Sequence, residues 1–508
     1  MAGTGTMSRP ARWTLLVGCC AQVMLTINST TTSVAIPSIQ RDLHASALEL
    51  AWIQNAYVLA LAAFMPLCGA IGDRFGRKRV YLAGFAVFTL GSLLSGLAPG
   101  PWTLVLTRAV QGCGGAAMSA LGLSLLAMAF GDRLGRATGV WAASSSIGLT
   151  LGPVVGGVLV DTVGWRSVFY VNVPICIVAV IPAVRFIPES ADAARKHVDA
   201  PGGVLLAASL VGLVATLHSL HVGAGYSPVE TVVPGAVTVA AFSGFWWRER
   251  RVADPVLPFS LFARRRFRAA VVIALSVNFA LAGSLYFQSL TMQNDRGWSP
   301  LAAGMMLLPL NAGIAAGGLR SSRLVDRYGV ATVTASALFA AAAGAALLTG
   351  LGFGIAAPVI AVADLLIGLG LGLAFPAVSA VGMHEVDLRH IGVASATLSD
   401  GRQVGGSIGI AVLVSVMVGT TGLVWSRRGA AAGLSAGQIS SGRSAIEVGN
   451  VSSVTRSLGA AAGHAAQHSF AWGIAALYLT SATLLVATGW YALLALRAGR
   501  QAAPAIAT

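Results

Sequence analysis

Nearly uncharged apolar blocks of about 20 residues recur along this chain, each closed by a short stretch that carries charge. A block of that length, coiled as a helix at about 1.5 Å per residue, matches the roughly 30 Å hydrocarbon core of a bilayer. Lipid offers the backbone no hydrogen bonds, so only helices and closed barrels cross it. The two-residue alternation of barrel strands is absent. The fold class that follows is all-α and integral to a membrane. Fourteen spans are expected, over about 13–37, 50–71, 80–98, 102–126, 136–160, 166–187, 201–223, 228–247, 269–290, 300–319, 330–351, 355–379, 391–421 and 470–496. Only 10% of the residues are charged, against roughly 25% in soluble domains.

The formal net charge of +15 would suggest nucleic acid in a soluble protein. Its placement argues for a lipid bilayer as the partner and against nucleic acid. Arg248, Arg250, Arg251, Arg264, Arg265, Arg266 and Arg268 crowd one connection between apolar blocks, the pattern of an orientation signal at an anionic leaflet. The two termini and the alternate loops between them hold 24 Lys and Arg, and the remaining loops hold 7. The richer set belongs inside, so both termini are expected in the cytoplasm. Loop 422–469 is then external, and its Gly, Ala and Ser content suggests partial disorder or a surface helix.

Cofactor chemistry finds no support. Cys19, Cys20, Cys68, Cys113 and Cys176 all lie in apolar blocks without metal-ligand spacing and read as small packing residues. His218 and His221 share a helix face but have no third ligand nearby, so no metal is expected. The glycine run "GLGLGLAFP" (368–376) lies in mid-span, without the strand and acidic partner of a dinucleotide site, and no Walker signature is present. With no nucleophile–base set either, an enzyme is not expected. The first apolar block is too long for a cleavable leader.

One internal repeat stands out. "GAIGDRFGRKRV" (69–80) follows the second span and "SSRLVDRYGVATV" (321–333) follows the tenth, both carrying D-R-aromatic-G. Duplicated halves mark secondary transporters, in which one bundle moves against the other around a central site. The expected division is a six-span bundle over 1–187, two linking spans and a basic loop over 188–268, and a second six-span bundle over 269–508.

Four motifs in order carry a resemblance: Gly69, Asp73, Arg74, Gly76, Arg77 and Lys78 in the first loop repeat; "RAVQGCGGA" (108–116) with Arg108, Gln111 and Gly112; "GLTLGPVVGG" (148–157) followed by "WRSVFYVNVP" (165–174); and "GRQVGGSIGIAV" (401–412). The chain resembles the major facilitator superfamily, in particular its fourteen-span drug:proton antiporters. The resemblance implies two six-helix bundles plus two extra spans. It also implies a monomer in a bacterial cell membrane that exports a hydrophobic, drug- or antibiotic-like small molecule in exchange for protons. A facilitator or importer of the same fold is the alternative.

Residue roles follow from the motifs and from chemistry together. The first loop, with Asp132 in the next inner loop and Asp326 and Arg327 in the second repeat, is expected to act as a cytoplasmic gate. Arg77 can reach Asp132, or Asp73 can pair with a nearby arginine. Gly148, Gly152 and Gly156 make a flat stripe at i, i+4, i+8 where another helix approaches closely; Pro153 removes one backbone bond beside it, and Gly157 completes the antiporter-type motif. An arginine at the centre of a span costs about 2.5–3.5 kcal/mol; Arg108 lies about 9 Å below the outer end of its span, which lowers that cost, and shares a face with Gln111. By analogy the cavity is lined by Asn28, Thr32, Gln54, Arg108, Asn278, Gln288, Asn311 and Arg402. Of 18 acids, only Asp364 and Asp400 lie inside spans, and a carboxyl in low dielectric exchanges protons near neutral pH. These two are the proton-coupling candidates. In "INSTTTSVAIP" (27–37) the resemblance puts Asn28 where the family often has an acid, and an amide carries no titratable proton.

Overall fold

The structure, a computed structural model, describes residues 8–130, 134–189, 199–219, 228–252, 259–384 and 391–497. Every regular element among them is helical. In order these are α1 (Arg9–Leu43), α2 (Ala47–Phe75), α3 (Arg77–Gly96), α4 (Pro101–Phe130), α5 (Leu134–Thr162), α6 (Ser167–Tyr170), α7 (Asn172–Phe186), α8 (Ala200–Ser219) and α9 (Pro228–Glu249), then α10 (Phe259–Ala263), α11 (Arg265–Leu290), α12 (Pro300–Met306), α13 (Leu308–Tyr328), α14 (Val330–Leu348), α15 (Ala357–His384), α16 (Ile391–Ala431), α17 (Ala436–Glu447), α18 (Val451–Leu458) and α19 (Ala460–Arg497). Among the described residues, 12 helical segments are long and apolar enough to cross a membrane. The fifth and eighth expected spans are also helices, α5 and α9, and Ile147–Thr162 of α5 is an apolar stretch.

Helix ends obey local chemistry. Ser46 and Glu49 form a capping box at the start of α2: the Glu49 amide donates to Ser46 Oγ at 3.3 Å and the Ser46 amide to Glu49 Oε2 at 2.9 Å. The repeated loops share one backbone solution. Gly76 (φ 110°) closes α2 and opens α3, and Gly329 (φ 80°) does the same between α13 and α14. Both angles lie where a Cβ is strained. A Cβ on Gly76 would also stand 2.8 Å from Glu189 Oε1, whereas one on Gly69 meets nothing within 4 Å. Gly76→Ala is therefore expected to cost about 1–3 kcal/mol and to lower the thermal unfolding midpoint in detergent. Gly69→Ala leaves that midpoint in place.

Contacts divide the chain into two compact units. The first comprises Met1–Val256, Leu285–Met305 and Ser440–Ser453; the second comprises Leu257–Ser284, Met306–Ile439 and Val454–Thr508. The linking helices α8 and α9 thus fall with the first bundle, where Trp52 of α2 stacks edge-on against His218 of α8. Arg248 of α9 pairs with the buried Asp199 ahead of α8 at 2.6 Å. Inside the first unit α1 runs along α5, while α2 and α3 flank α4. Inside the second, α13 and α14 flank α15 in the same way.

This parallel reaches single residues. Glycines four and six positions after Arg108 seat α4 on its neighbours: a Cβ on Gly112 would strike Tyr57 O of α2, and one on Gly114 would strike Phe88 N of α3. Gly368 and Gly370, four and six positions after Asp364, do the same against Leu310 O of α13 and Ala337 O of α14. Arg108 and Asp364 therefore hold one register in the two bundles, and both are fully enclosed. The two frames share their glycine positions and enclose a guanidinium in one and a carboxyl in the other.

The segment between the last two long helices is itself helical. α16 runs on to Ala431 and α19 begins at Ala460, past the expected span ends, with α17 and α18 between. Trp425 is fully enclosed and its indole N–H donates to Ile439 O at 2.8 Å; Ile446, Val448 and Val454 are buried with little exposure. Within the first unit, Asn294 Nδ2 donates to Val448 O at 2.7 Å from a π-helical turn, Thr291–Asp295.

Candidate functional site

The polar side chains of the first bundle converge on Arg108. One terminal nitrogen of its guanidinium donates to Gln111 Oε1 at 2.5 Å, and Nε donates to Ile53 O of α2 at 3.4 Å. The guanidinium carbon lies 4.4 Å from the centroid of the Tyr57 ring and 5.7 Å from that of Phe169. Gln111 Nε2 donates in turn to Ser92 Oγ of α3 at 2.6 Å and to Asn28 Oδ1 of α1 at 3.0 Å. Asn28 Oδ1 also accepts from Asn172 Nδ2 of α7 at 3.1 Å. Arg108, Gln111, Ser92, Asn28 and Asn172 are all 0% exposed. The buried cation thus rests on neutral oxygens and ring faces, and no carboxylate joins it among the described residues. Such an arrangement holds only because several weak acceptors share the charge.

The hydroxyls of α1 turn inward on their own helix. Thr32 Oγ1 donates to Asn28 O at 2.7 Å and Thr30 Oγ1 to Thr26 O at 3.0 Å, the back-bonding that makes hydroxyls cheap in a helix. Gln54 Nε2 of α2 donates to Ser33 Oγ at 3.3 Å. The α5 glycines explain why these residues are sealed. A Cβ on Gly148 would stand 2.7 Å from Val23 O, and one on Gly156 would stand 2.8 Å from Thr31 Cα. A Cβ on Gly152 would collide with Thr30 Oγ1. The motif has a second face as well: a Cβ on Gly157 would stand 2.7 Å from Leu301 Cα of α12, and Gly304 abuts Pro153 O.

In the second unit Asp364 is fully enclosed on α15, within electrostatic reach of the buried Tyr478 on α19. Asp400 on α16 is half-buried, and its Oδ1 has no hydrogen-bond partner among the described residues. Arg402 turns aside from it: its guanidinium lies 4.2 Å from the centroid of the Phe375 ring and donates to Ser399 Oγ at 3.4 Å. Asn278 and Asn311 donate to carbonyls of their own helices, Ala274 O and Leu307 O, each at 3.1 Å. Asn311 is 1% exposed and Gln288 0% exposed.

At the first loop repeat Arg77 pairs within the motif, with Asp73 at 2.7 Å. Asp132 lies outside the described residues. Lys78 Nζ donates to Val184 O of α7 at 2.7 Å, and the Lys78 amide donates to Glu189 at 3.2 Å. Arg79 sits 3.5 Å from the same carboxylate. Arg74 is exposed against the Phe75 ring, and Asp326 and Arg327 are exposed at the end of α13.

A profile of the Major Facilitator Superfamily matches residues 18–410 of this chain. The chain belongs to that superfamily. It is accordingly a multi-pass membrane transporter and not an enzyme. Among relatives of this major facilitator, the multidrug resistance protein Stp of Mycobacterium tuberculosis is 33% identical over 414 residues, covering 81% of this chain and 76% of Stp. The tetracenomycin C resistance and export protein of Streptomyces glaucescens is 32% identical, covering 85% of this chain and 80% of that protein. The puromycin resistance protein pur8 of Streptomyces alboniger is 35% identical, covering 80% and 82% respectively. Solved structures agree on the fold. A bacterial homologue of the human lysosomal transporter Spinster superposes with a TM-score of 0.68 at 16% identity, covering 98% of this chain and all of that one.

Sequence reasoning missed three members of this major facilitator's polar framework. Asn172 was inside a quoted motif, and its pairing with Asn28 across 144 residues needs the fold. Glu189 stands in a basic loop as the first acid after α7, a signal that could have found it. Asp42, at the end of α1, accepts from Trp165 Nε1 at 2.9 Å and Arg166 at 2.6 Å. It ties α1 to the start of α6.

Proposed function

We propose that this chain is a fourteen-span exporter of hydrophobic, drug- or antibiotic-like small molecules, moved in exchange for protons by alternating access. The observation that carries this reading is the carboxyl of Asp400. It is half-buried on a glycine-rich helix, and Arg402, whose charge reaches it from two residues away, forms no ion pair with it within 4 Å and lies on the Phe375 ring. A carboxyl in that setting can gain and lose a proton without breaking a fixed ion pair. Relatives named for multidrug, tetracenomycin C and puromycin resistance support drug export. Helices α5 and α9, beside the 12 long apolar segments, support a count of fourteen spans, and the Lys and Arg asymmetry supports cytoplasmic termini.

In this scheme Asp400 is the coupling carboxyl and Asp364 the second candidate, enclosed deeper in its bundle. Asn28, Thr32, Gln54, Arg108, Gln111, Asn278, Gln288, Asn311 and Arg402 shape the polar side of the pathway. The Asp73–Arg77 pair with the Glu189 clasp forms the inner gate, and the α5 glycines form a seam against α1.

The test is transport by purified protein in proteoliposomes. Substrate movement against its gradient is expected when protons are allowed to flow the opposite way, together with substrate-dependent proton movement. Flux indifferent to an imposed pH gradient would leave a facilitator.

A further inference from the structure

We propose that this exporter selects its cargo by charge, favouring neutral and anionic compounds over lipophilic cations, and that the amide of Asn28 sets the preference. The inference rests on the export reading and names the substrate class for it. The acids of the first unit's described residues all stand at helix ends or in connections, from Asp42 at the end of α1 to Asp295 at the end of the π-helical turn. Mid-bundle, the one described ionic group is Arg108. Its charge is shared by Gln111 Oε1, Ile53 O and two aromatic faces, and its second terminal nitrogen has no acceptor among the described residues. Neutral acceptors spread a positive charge without cancelling it. A cation brought near α1 and α4 therefore meets a repulsion that low dielectric strengthens, and an anion meets an attraction.

Asn28 is where the sign is decided. Its Oδ1 is fixed by two N–H donors, from Gln111 and Asn172, while its Nδ2 lies against the Tyr57 hydroxyl without a hydrogen bond inside the usual limits. Exchanging that NH2 for an oxygen keeps both hydrogen bonds, gives the Tyr57 hydroxyl an acceptor in place of a donor and supplies a carboxylate to the cluster that holds Arg108. The geometry thus tolerates an acid at this point. The amide sets the charge of the cluster rather than its packing.

Three dyes provide the measurement: ethidium as cation, anilinonaphthalene sulfonate as anion and Nile red as neutral probe. Binding to purified protein is followed by fluorescence, and movement is followed in everted vesicles. Wild-type protein is expected to favour the anionic and neutral dyes over ethidium by about tenfold. Asn28→Asp is expected to raise ethidium binding and movement about tenfold and to lower those of the anion. Arg108→Gln, checked for folding by size-exclusion chromatography, is expected to level the three. Ethidium preferred by the wild type, or a cation-to-anion ratio unmoved by Asn28→Asp, overturns the proposal. Binding that favours the anion, with no dye moved, keeps the charge preference and sinks the export reading instead.

Discussion

Proton-driven accumulation of substrate in everted vesicles is expected to vanish in the Asp400→Asn variant, a loss of at least about a hundredfold, while exchange of labelled for unlabelled substrate across the same membrane continues. The split follows from where the group sits. Asp400 is the half-buried carboxyl of a span, its Oδ1 lacks a hydrogen-bond partner among the described residues, and Arg402 is directed at Phe375 and Ser399. Asparagine keeps its shape and most of its hydrogen bonding but cannot carry the proton across, so only the coupled mode is lost. Asp364→Asn run beside it separates the two candidates. Asp364 is sealed in its bundle, and its replacement is expected to act first on folded yield. A fully coupled Asp400→Asn protein, with Asp364→Asn uncoupled, would reverse the assignment.

The second large effect concerns the α1–α5 seam. Gly156→Leu is expected to abolish transport in cells and to lower the folded yield several-fold. The first added carbon would stand 2.8 Å from Thr31 Cα, and a backbone atom cannot swing aside as a flexible side chain can. Overpacking of this kind costs about 1–3 kcal/mol even where side chains can yield, and here α1 itself must shift, carrying Asn28 out of reach of Gln111 and Asn172. Gly235→Leu on α9 is the control: its added carbon would meet Thr216 at 3.8 Å. Normal transport by Gly156→Leu at normal expression would show that the seam does not need close approach.

Much of the fold could be read from the chain because lipid leaves so few solutions. Apolar block length pointed to long membrane helices, of which 12 meet the length and apolarity of a span among the described residues, and the two D-R-aromatic-G loops share a positive-φ glycine, Gly76 and Gly329. Helix ends were less legible. α16 and α19 outrun their apolar stretches, because a helix continues past its apolar block for as long as packing supports it, as at the enclosed Trp425 of α16. Of the two expectations for segment 422–469, partial disorder or a surface helix, the structure has helix, α17 and α18. Of the site, Arg108 with Gln111 was legible from i, i+3 spacing on one helix. Their meeting with Asn28, Ser92 and Asn172 was not, since four separate helices supply those contacts. The pairing of Arg77 with Asp73, one turn away on the same motif, is seen at 2.7 Å, while Asp132, the other expected partner of Arg77, lies outside the described residues.

The matched register of Arg108 and Asp364 has a bearing on the history of the chain. A duplicated half begins as two interchangeable copies. Once one copy buries a guanidinium and the other a carboxyl at the same point, exchange is no longer neutral. Two first halves would enclose two cations, and two second halves would enclose two acids. The glycines seat both helices alike, but the side chain each frame has come to enclose differs in kind, so neither half offers the other's chemistry at that point.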